Sequence, residues 1–309
     1  LPGKINSLIA DMVVEGSGTA FSKSIVSLML DSSGSDRAQV FHLNANDTVL
    51  DVSKCNLGPD DANLVGAWLE KRSVKERLQT VKMHSNPSIG TGNRRGVLHL
   101  VDSMQDIPLT ALDATGCGIE NAATEFSKLL FAGTSKFSES ISSIAIDCAG
   151  GAGTYTLDAE SEIIDLKKKN LGVADVKLIA GWMKKKKVQA TAKSLLMSQN
   201  PGIIGENGKT DISGFRDLCP NINFLLQWDL SECNTNTELT LLLAREIDWS
   251  KCGLTELLLD TTGDLSGRTQ AYESEAAQRQ AQKAYKLDAR DKMFDIAGKN
   301  VGSADLELL

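Results

Sequence analysis

The fold is decided by residues 49–58, which read VLDVSKCNLG. The pattern returns at residues 163–172 as IIDLKKKNLG and at residues 293–302 as MFDIAGKNVG. In each copy an apolar–Asp–apolar triplet is followed by a turn that contains Asn, then by an apolar residue and Gly. One pattern reused along a chain indicates a repeat architecture, and the period has to be settled before any other feature of the fold.

A longer template, apolar–xx–apolar–x–apolar–xx–(Asn, Cys or a small residue), describes the whole chain. Its alternating apolar residues predict short strands whose apolar side chains share one face. Amphipathic helices are predicted after the turns, at 60–69 and 174–183 with Trp68 and Trp182 at matching positions, and near 93–106, 119–132, 209–218 and 236–246. About ten segments match the template: residues 25–33, 50–55, 78–86, 109–117, 141–149, 164–169, 192–200, 225–233, 254–262 and 294–299.

These segments resemble the LxxLxLxx(N/C)xL motif of leucine-rich repeat proteins, of the ribonuclease-inhibitor type with long, helix-containing repeats. The resemblance covers nearly the entire chain. It implies an α/β solenoid of about ten repeats, with a curved parallel β-sheet on the concave face and mostly α-helices on the convex face.

A larger period also exists, because Phe21–Ile25 recurs as Phe137–Ile141. This supercycle of about 116 residues divides a single solenoid, residues 1–309, into cycles at about 21–136 and 137–249 and a partial cycle at about 250–309. The connections from Asp31 to Asp51 and from Asp147 to Asp165 are too short to hold a helix comfortably. Extended chain is expected there, at 39–43 and 154–157, together with a change of curvature.

Two segments depart from the period. The insertion at about 266–292 is rich in Ala, Gln and charged residues, with Tyr272 and Tyr285 as its only aromatics. It is expected to be a solvated helix or a mobile loop, either a tolerated insertion or a docking arm for a partner. Residues 304–309 match the starts of the helices at 60 and 174, so either further chain or a partner is expected to cover the last repeat.

Composition limits the possible partners. The net charge is −7, which disfavours nucleic acid as a ligand because phosphate neutralisation requires concentrated Lys and Arg. No apolar run is long enough to span a membrane, so no direct membrane insertion is expected. One basic run, Lys184–Lys187, is interpreted as a charged helix end, with a local anionic partner as the alternative.

The cysteine pattern favours free thiols. Cys55, Cys117 and Cys233 fall at one repeat position, and residues in one column of a repeat cannot bridge across distant copies. Neither the cysteines nor the three histidines show metal-ligand spacing, so no metal or other cofactor is expected. Buried free thiols predict a cytoplasmic or other reducing intracellular compartment.

The candidate binding surface lies along two columns of strand residues that point away from the apolar face. The columns are dominated by Asp, which favours an acidic trough for a protein partner with a basic segment. The alternative is that these carboxylates aid solubility or bond neighbouring turn amides. His84 is expected to form an ion pair with neighbouring Asp side chains. The candidate partner-binding residues are Asp31, Asp51, His84, Asp113, Asp147, Asp165, Asp229, Asp260 and Asp295.

No constellation of Ser, His and Asp suggests a nucleophile with its base, so no catalytic residues are assigned. The sequence therefore favours a non-enzymatic interaction scaffold or a subunit of a multi-subunit complex, binding through the Asp-rich face or the C-terminal end. Two alternatives stay open. One is a GTPase-activating or other regulatory protein, for which Arg95, beside Arg94, would be the residue to test. The other is an inhibitor of a basic enzyme, as the resemblance implies.

Overall fold

A computed structural model describes residues 2–13, 24–91, 95–119, 122–131, 133–205, 209–263, 284–288 and 301–308. The chain forms two compact units. The first comprises Leu1–Asp147 with Ala152–Asp158, and the second comprises Cys148–Gly151 with Ala159–Leu309.

The first unit alternates short strands with helices. Its helices are α1 (Pro2–Val13), α2 (Pro59–Leu69), α3 (Arg72–Lys75), α4 (Arg95–Ser103), α5 (Ala122–Phe131) and α6 (Lys136–Ser140). Its strands are β1 (Ser27–Asp31), β2 (Val40–Asn44), β3 (Val49–Asp51), β4 (Thr80–Lys82), β5 (Ala111–Asp113), β6 (Ser143–Asp147) and β7 (Thr154–Asp158). Strands β1 and β2 form a separate antiparallel pair.

The other five strands form one sheet in the order β3-β4-β5-β6-β7. Strands β3 to β6 are parallel, and β7 returns antiparallel to β6. The central residues of the short strands, Leu50, Val81 and Leu112, are buried and stand in register. Each buried aliphatic side chain contributes about 1.5–3 kcal/mol. Helices α1, α2 and α4 pack beside one another in the same unit.

The turns after the strands explain the recurring Asn and Gly of the sequence pattern. In four turns, two residues spaced two apart have positive φ: Lys54 and Asn56, Gly116 and Gly118, Lys168 and Asn170, Glu232 and Asn234. Asn tolerates the left-handed region better than most residues with a side chain, and Gly adopts it freely. At Gly58 the close approach of the backbone matters instead, because an added Cβ would lie 2.9 Å from Ser33 Oγ.

The second unit repeats the arrangement. Its strands are β8 (Ile163–Asp165), β9 (Ser194–Leu196), β10 (Gln227–Asp229), β11 (Glu256–Leu259) and β12 (Tyr285–Asp288). The sheet order is β12-β11-β10-β9-β8, with β12 antiparallel to β11 and the other pairs parallel. Its helices are α7 (Val173–Met183), α8 (Lys186–Thr191), α9 (Ser213–Leu218), α10 (Thr237–Glu246) and α11 (Ser303–Leu308), with a 3-10 turn at Cys219–Asn221.

The prediction of a single solenoid with one curved parallel sheet and about ten repeats is wrong. The described chain has two five-stranded sheets and a separate antiparallel pair. The physical reason lies in the short connections noted in the sequence. At each of these connections the chain folds back as an additional strand, which pairs antiparallel with the strand before it: β2 with β1, and β7 with β6. The next strand, β3 or β8, starts a new sheet.

The local predictions are better. The expected extended segments 39–43 and 154–157 correspond to β2 and β7, in which Phe41, Leu43, Tyr155 and Leu157 are buried. Helices are present in all the predicted regions, although α9 is shorter than 209–218. Trp68 and Trp182 are buried at equivalent positions of α2 and α7, as expected. Residues 304–308 lie in a helix that begins as α2 and α7 do.

The insertion prediction is wrong at Tyr285, which is 3% exposed and pairs with Leu259 in β12. Residues 266–283 and 289–292 of the predicted insertion lie outside the described residues. The longest described helix is α1, with 12 residues. No described helix has the length and apolar character needed to cross a bilayer.

Candidate functional site

A polar surface lies on the face of the first unit's sheet opposite to its buried central side chains. Asp51, Lys82 and Asp113 lie in register on adjacent strands β3, β4 and β5. Asp51 and Lys82 are exposed, and Asp113 is half-buried. Neighbouring strands are about 4.8 Å apart, so the three side chains form a row of acidic, basic and acidic groups. We call these three residues the charged row.

Turn hydrogen bonds hold the two carboxylates of the charged row in place. The Ser53 amide donates to Asp51 Oδ1 at 3.1 Å. The amide and hydroxyl of Thr115 donate to Asp113 Oδ1 at 3.1 and 2.8 Å. Within the described residues these bonds engage one oxygen of each carboxylate, so the other oxygen remains for a partner.

Electrostatics keep Asp51 ionised. Partial burial raises the pKa of this carboxyl, but the hydrogen bonds from Ser53 and the charges of Lys82 and His84 outweigh burial and hold the pKa below its ordinary value. His84 itself hydrogen-bonds Ser85, with 3.2 Å between Nδ1 and Oγ. Within the described residues it does not form the predicted ion pair with Asp51 or Asp113.

Of the three predicted aspartates in the second column, Asp31, Asp147 and Asp260, the last two have an internal role instead. Asp147 is buried and accepts backbone N–H bonds from Gly116 at 2.6 Å and from Cys117 and Gly118 at 3.0 Å. These donors belong to the turn that follows the adjacent strand, β5. The carboxylate therefore fastens one turn to the next strand, and it is not available to a partner.

Asp260 repeats this arrangement in the second unit. Its carboxylate is 3% exposed and accepts the backbone N–H groups of Glu232, Cys233 and Thr235 at 2.6, 2.9 and 3.2 Å. Burial raises the pKa of Asp260 above its ordinary value, although the N–H groups that donate to it oppose the rise. Asp147 and Asp260 are thus removed from the predicted surface.

The remaining predicted residues are scattered. Asp229 is buried and bonds the Ser231 amide and hydroxyl. Asp31 and Asp165 are exposed, Asp31 on the separate β1–β2 pair and Asp165 on the second unit's sheet. Asp295 lies outside the described residues. The structure therefore brings together Asp51 and Asp113 of the predicted set, with His84 nearby.

The second unit does not reproduce the charged row. In the second unit Leu196 occupies the middle position of the row, between Asp165 on β8 and Asp229 on β10. Leu196 is 9% exposed, and Asp229 is buried. Lys286 on β12 is already paired with Glu256 at 3.0 Å and Asp288 at 3.1 Å. This face offers fewer charged groups for a partner.

Three aspartates at the third position of a helix have a role that sequence reasoning did not assign. Asp61, Asp175 and Asp305 each accept the amide of the glycine before their helix, at 2.8, 2.8 and 2.7 Å. Each also accepts an amide from a preceding strand's turn, at Ser33, Ala149 and Thr262. The signal was present, since an Asp lies three residues after the final Gly in all three copies of the first pattern. Its meaning is structural.

A cleft of about 640 Å³ lies between α1, α2 and α4 of the first unit. His99 stands in its wall, where its two ring nitrogens lie 2.8 Å from Asn63 Oδ1 and 3.1 Å from Glu70 Oε1. Arg95, the residue named for the GTPase-activating alternative, is the first residue of α4 and lines the same cleft together with Asp60 and Asp102. These carboxylates give an acidic setting, which does not favour an arginine that must reach a phosphate. Arg94 lies outside the described residues.

The six cysteines are free, as predicted, and four of them are buried; the prediction of burial is wrong for Cys55 and Cys252, which are half-buried. Burial raises the pKa of Cys117, Cys219 and Cys233 to about 12 in each case, so their thiols are neutral at physiological pH. Among the described side chains, no three His, Cys, Asp or Glu residues are grouped as metal ligands.

No protein-family model matches the chain. No curated protein matches it either.

Proposed function

We propose that this protein is a non-enzymatic interaction scaffold that binds a protein partner across the open strand face of its first unit. The observation that carries the proposal is the charged row, in which two held carboxylates flank one lysine on adjacent strands. Rigid, pre-positioned charges favour recognition of a complementary surface because little side-chain order is lost on binding.

The spacing of the charged row indicates the partner's chemistry. Its ends are about 10 Å apart, which is two strand spacings. A helix lying across the strands presents side chains i, i+3 or i+4, and i+7 on one face, about 5–6 Å from one to the next. The complementary partner is therefore a helix with basic, acidic and basic residues in that order. This sharpens the expectation of a basic segment.

Exposed apolar surface beside the charged row supports the same reading. Val49, in β3, is 42% exposed on the same face as Asp51. Thr80 and Ala111 are in register with Val49 on β4 and β5 and are half-buried. In protein interfaces charged groups give orientation and association rate, and apolar contacts of this kind supply much of the affinity.

The test is a capture experiment in native extract with charge-reversed variants. The double variant Asp51→Lys, Asp113→Lys should lose the partners that the wild type retains, and bound partners should dissociate as ionic strength rises. The matched control reverses two exposed turn aspartates of the same unit, Asp36→Lys and Asp47→Lys. Equal retention by both double variants, or binding indifferent to salt, would refute the proposal. Cross-links from the partner should map to residues 49–53, 80–84 and 111–115.

An inhibitor of a basic enzyme would be one such scaffold. The identity of the captured partner decides between an inhibitor and a scaffold of another kind. A GTPase-activating role has no comparable support, and Arg95→Ala tests it directly in a GTP turnover assay. Localisation in a reducing intracellular compartment belongs to the same proposal and is supported by the buried free thiols. Disulfide-linked peptides in native protein would contradict it.

A relationship of the strand-and-turn module to leucine-rich repeats is also proposed. Asn86 Nδ2 donates to the Val52 carbonyl at 2.9 Å, and Cys117 Sγ donates to the Met83 carbonyl at the same distance. One position thus accepts Asn or Cys because either can donate to the preceding strand. Asn86→Cys should then retain more stability than Asn86→Ala, and equal losses would count against the relationship.

A further inference from the structure

Helix α1 has two apolar faces, and one of them packs inside the first unit. Ala10 and Val13 are buried, and Asn6 beside them donates to the Asp31 carbonyl at 2.9 Å and to the Asp61 carboxylate. This face packs on α2. The opposite flank carries Ile5, Leu8 and Met12.

The outer side chains form a continuous apolar stripe. Ile5 is 52% exposed, Leu8 64% and Met12 46%. Their spacing of three and four residues places them on one line along the helix. An amphipathic helix in water normally directs large aliphatic side chains inward, so three on its outer flank mark an interaction surface.

The charges beside the stripe select its occupant. Lys4 and Asp11 are seven residues apart and exposed, and they flank the stripe on the same side. A second copy of α1 laid antiparallel across a two-fold axis places Leu8 against Leu8 of the other copy and Ile5 against Met12. The same arrangement brings each Lys4 within about 3 Å, measured along the axis, of the other copy's Asp11. In a parallel two-fold pair the Lys4–Asp11 flanks of the two copies lie on opposite sides of the seam, so these ion pairs do not form.

We propose that the protein self-associates as a symmetric dimer through antiparallel α1 helices, with Ile5, Leu8 and Met12 in the seam and two reciprocal Lys4–Asp11 ion pairs beside it. A two-fold interface uses the same patch twice, which this self-complementary stripe satisfies. The contact is small, because α1 has 12 residues and is thus about 18 Å long. Such an area lies below that of a standard stable interface, so the dimer is weak and depends on concentration.

Sedimentation velocity of the 309-residue chain, with any tag at the C-terminus, tests this from about 1 µM to about 500 µM protein. The wild type should shift from monomer to dimer across the series. Leu8→Glu should remain monomeric with an unchanged melting temperature, since Leu8 is exposed. The control Leu226→Glu, at an exposed leucine of the second unit, should dimerise as the wild type does.

A charge exchange separates this geometry from nonspecific association. Lys4→Glu or Asp11→Lys alone should weaken the dimer about tenfold, because each creates two like-charge contacts. The double variant should restore the wild-type dissociation constant. A wild type that stays monomeric throughout, a Leu8→Glu variant that still dimerises, or a double variant no better than the single ones would each overturn the proposal.

Discussion

Replacement of Asp147 by Ala removes a carboxylate that binds three backbone N–H groups of a neighbouring turn, those of Gly116, Cys117 and Gly118. If this aspartate serves the fold, as its burial indicates, the change should destabilise the first unit. If it serves a partner, the isolated protein should tolerate the change. Asp31 occupies the same repeat position in β1 but is exposed, so Asp31→Ala is the matched control.

The expected loss follows from the surroundings of the donors. Gly116 and Gly118 are exposed, and water can replace the lost acceptor there at small cost. Cys117 is fully buried, so its N–H loses its partner without replacement, which costs about 1–3 kcal/mol. With the net value of the charge-assisted bonds added, Asp147→Ala should lower the free energy of unfolding by about 3 kcal/mol. Asp31→Ala should change it by less than about 0.5 kcal/mol.

Hydrogen exchange detected by mass spectrometry is the suitable assay, because two compact units need not unfold together. In Asp147→Ala, peptides covering the first unit should exchange faster, most of all the peptide that holds residues 114–119. Peptides of residues 163–263 should keep wild-type rates. Equal effects of Asp147→Ala and Asp31→Ala would refute the reasoning that burial separates the two aspartates.

Other perturbations have equally definite outcomes. Asn86→Ala removes a fully buried amide that bonds Leu57, Val52 and Met83 and should cost about 3 kcal/mol in chemical unfolding; a loss below about 1 kcal/mol would contradict its role. A thiol reagent at pH 8 should label only the half-buried Cys55 and Cys252 of the native protein; rapid labelling of buried thiols would show that the core opens. Burial raises the pKa of Cys117 and Cys233 from 9.0 to about 12. The contribution of these thiols to stability should therefore be complete below pH 9 and be lost as pH rises towards 12. Cys117→Ala should reduce this loss of stability, and a variant with the wild-type pH profile would contradict the prediction. Lys82→Glu sets three carboxylates side by side, so it should lower the free energy of unfolding by about 0.2–1 kcal/mol and weaken the binding of a basic–acidic–basic partner helix about tenfold; titration and melting curves check both effects.

The sequence predicts the local elements well, because they follow from side-chain periodicity. Buried Leu50, Val81 and Leu112 mark strands through alternation alone. The alternation of apolar and polar residues in 39–43 and 154–157 likewise predicts the extended segments that form β2 and β7. The break after each of these strands could not be predicted, because hydrogen bonding to the next strand depends on backbone register and not on which residues are apolar.

The candidate site shows a similar limit. Asp31, Asp147 and Asp260 share one motif, yet only the last two are buried. Their environment depends on a neighbouring turn that supplies backbone N–H groups, and for Asp147 that turn follows β5. The repeat pattern gives the position of a residue along its strand. Whether its carboxylate accepts backbone N–H bonds or faces solvent depends on the turn that follows the adjacent strand.

The proposed partner surface is tested most directly by hydrogen exchange of the protein with and without its captured partner. Binding through the charged row predicts slower exchange in peptides that cover residues 49–53, 80–84 and 111–115, and this protection should be absent in Asp51→Lys, Asp113→Lys. Protection confined to helices α2 and α4, with those strand peptides unchanged, would contradict it.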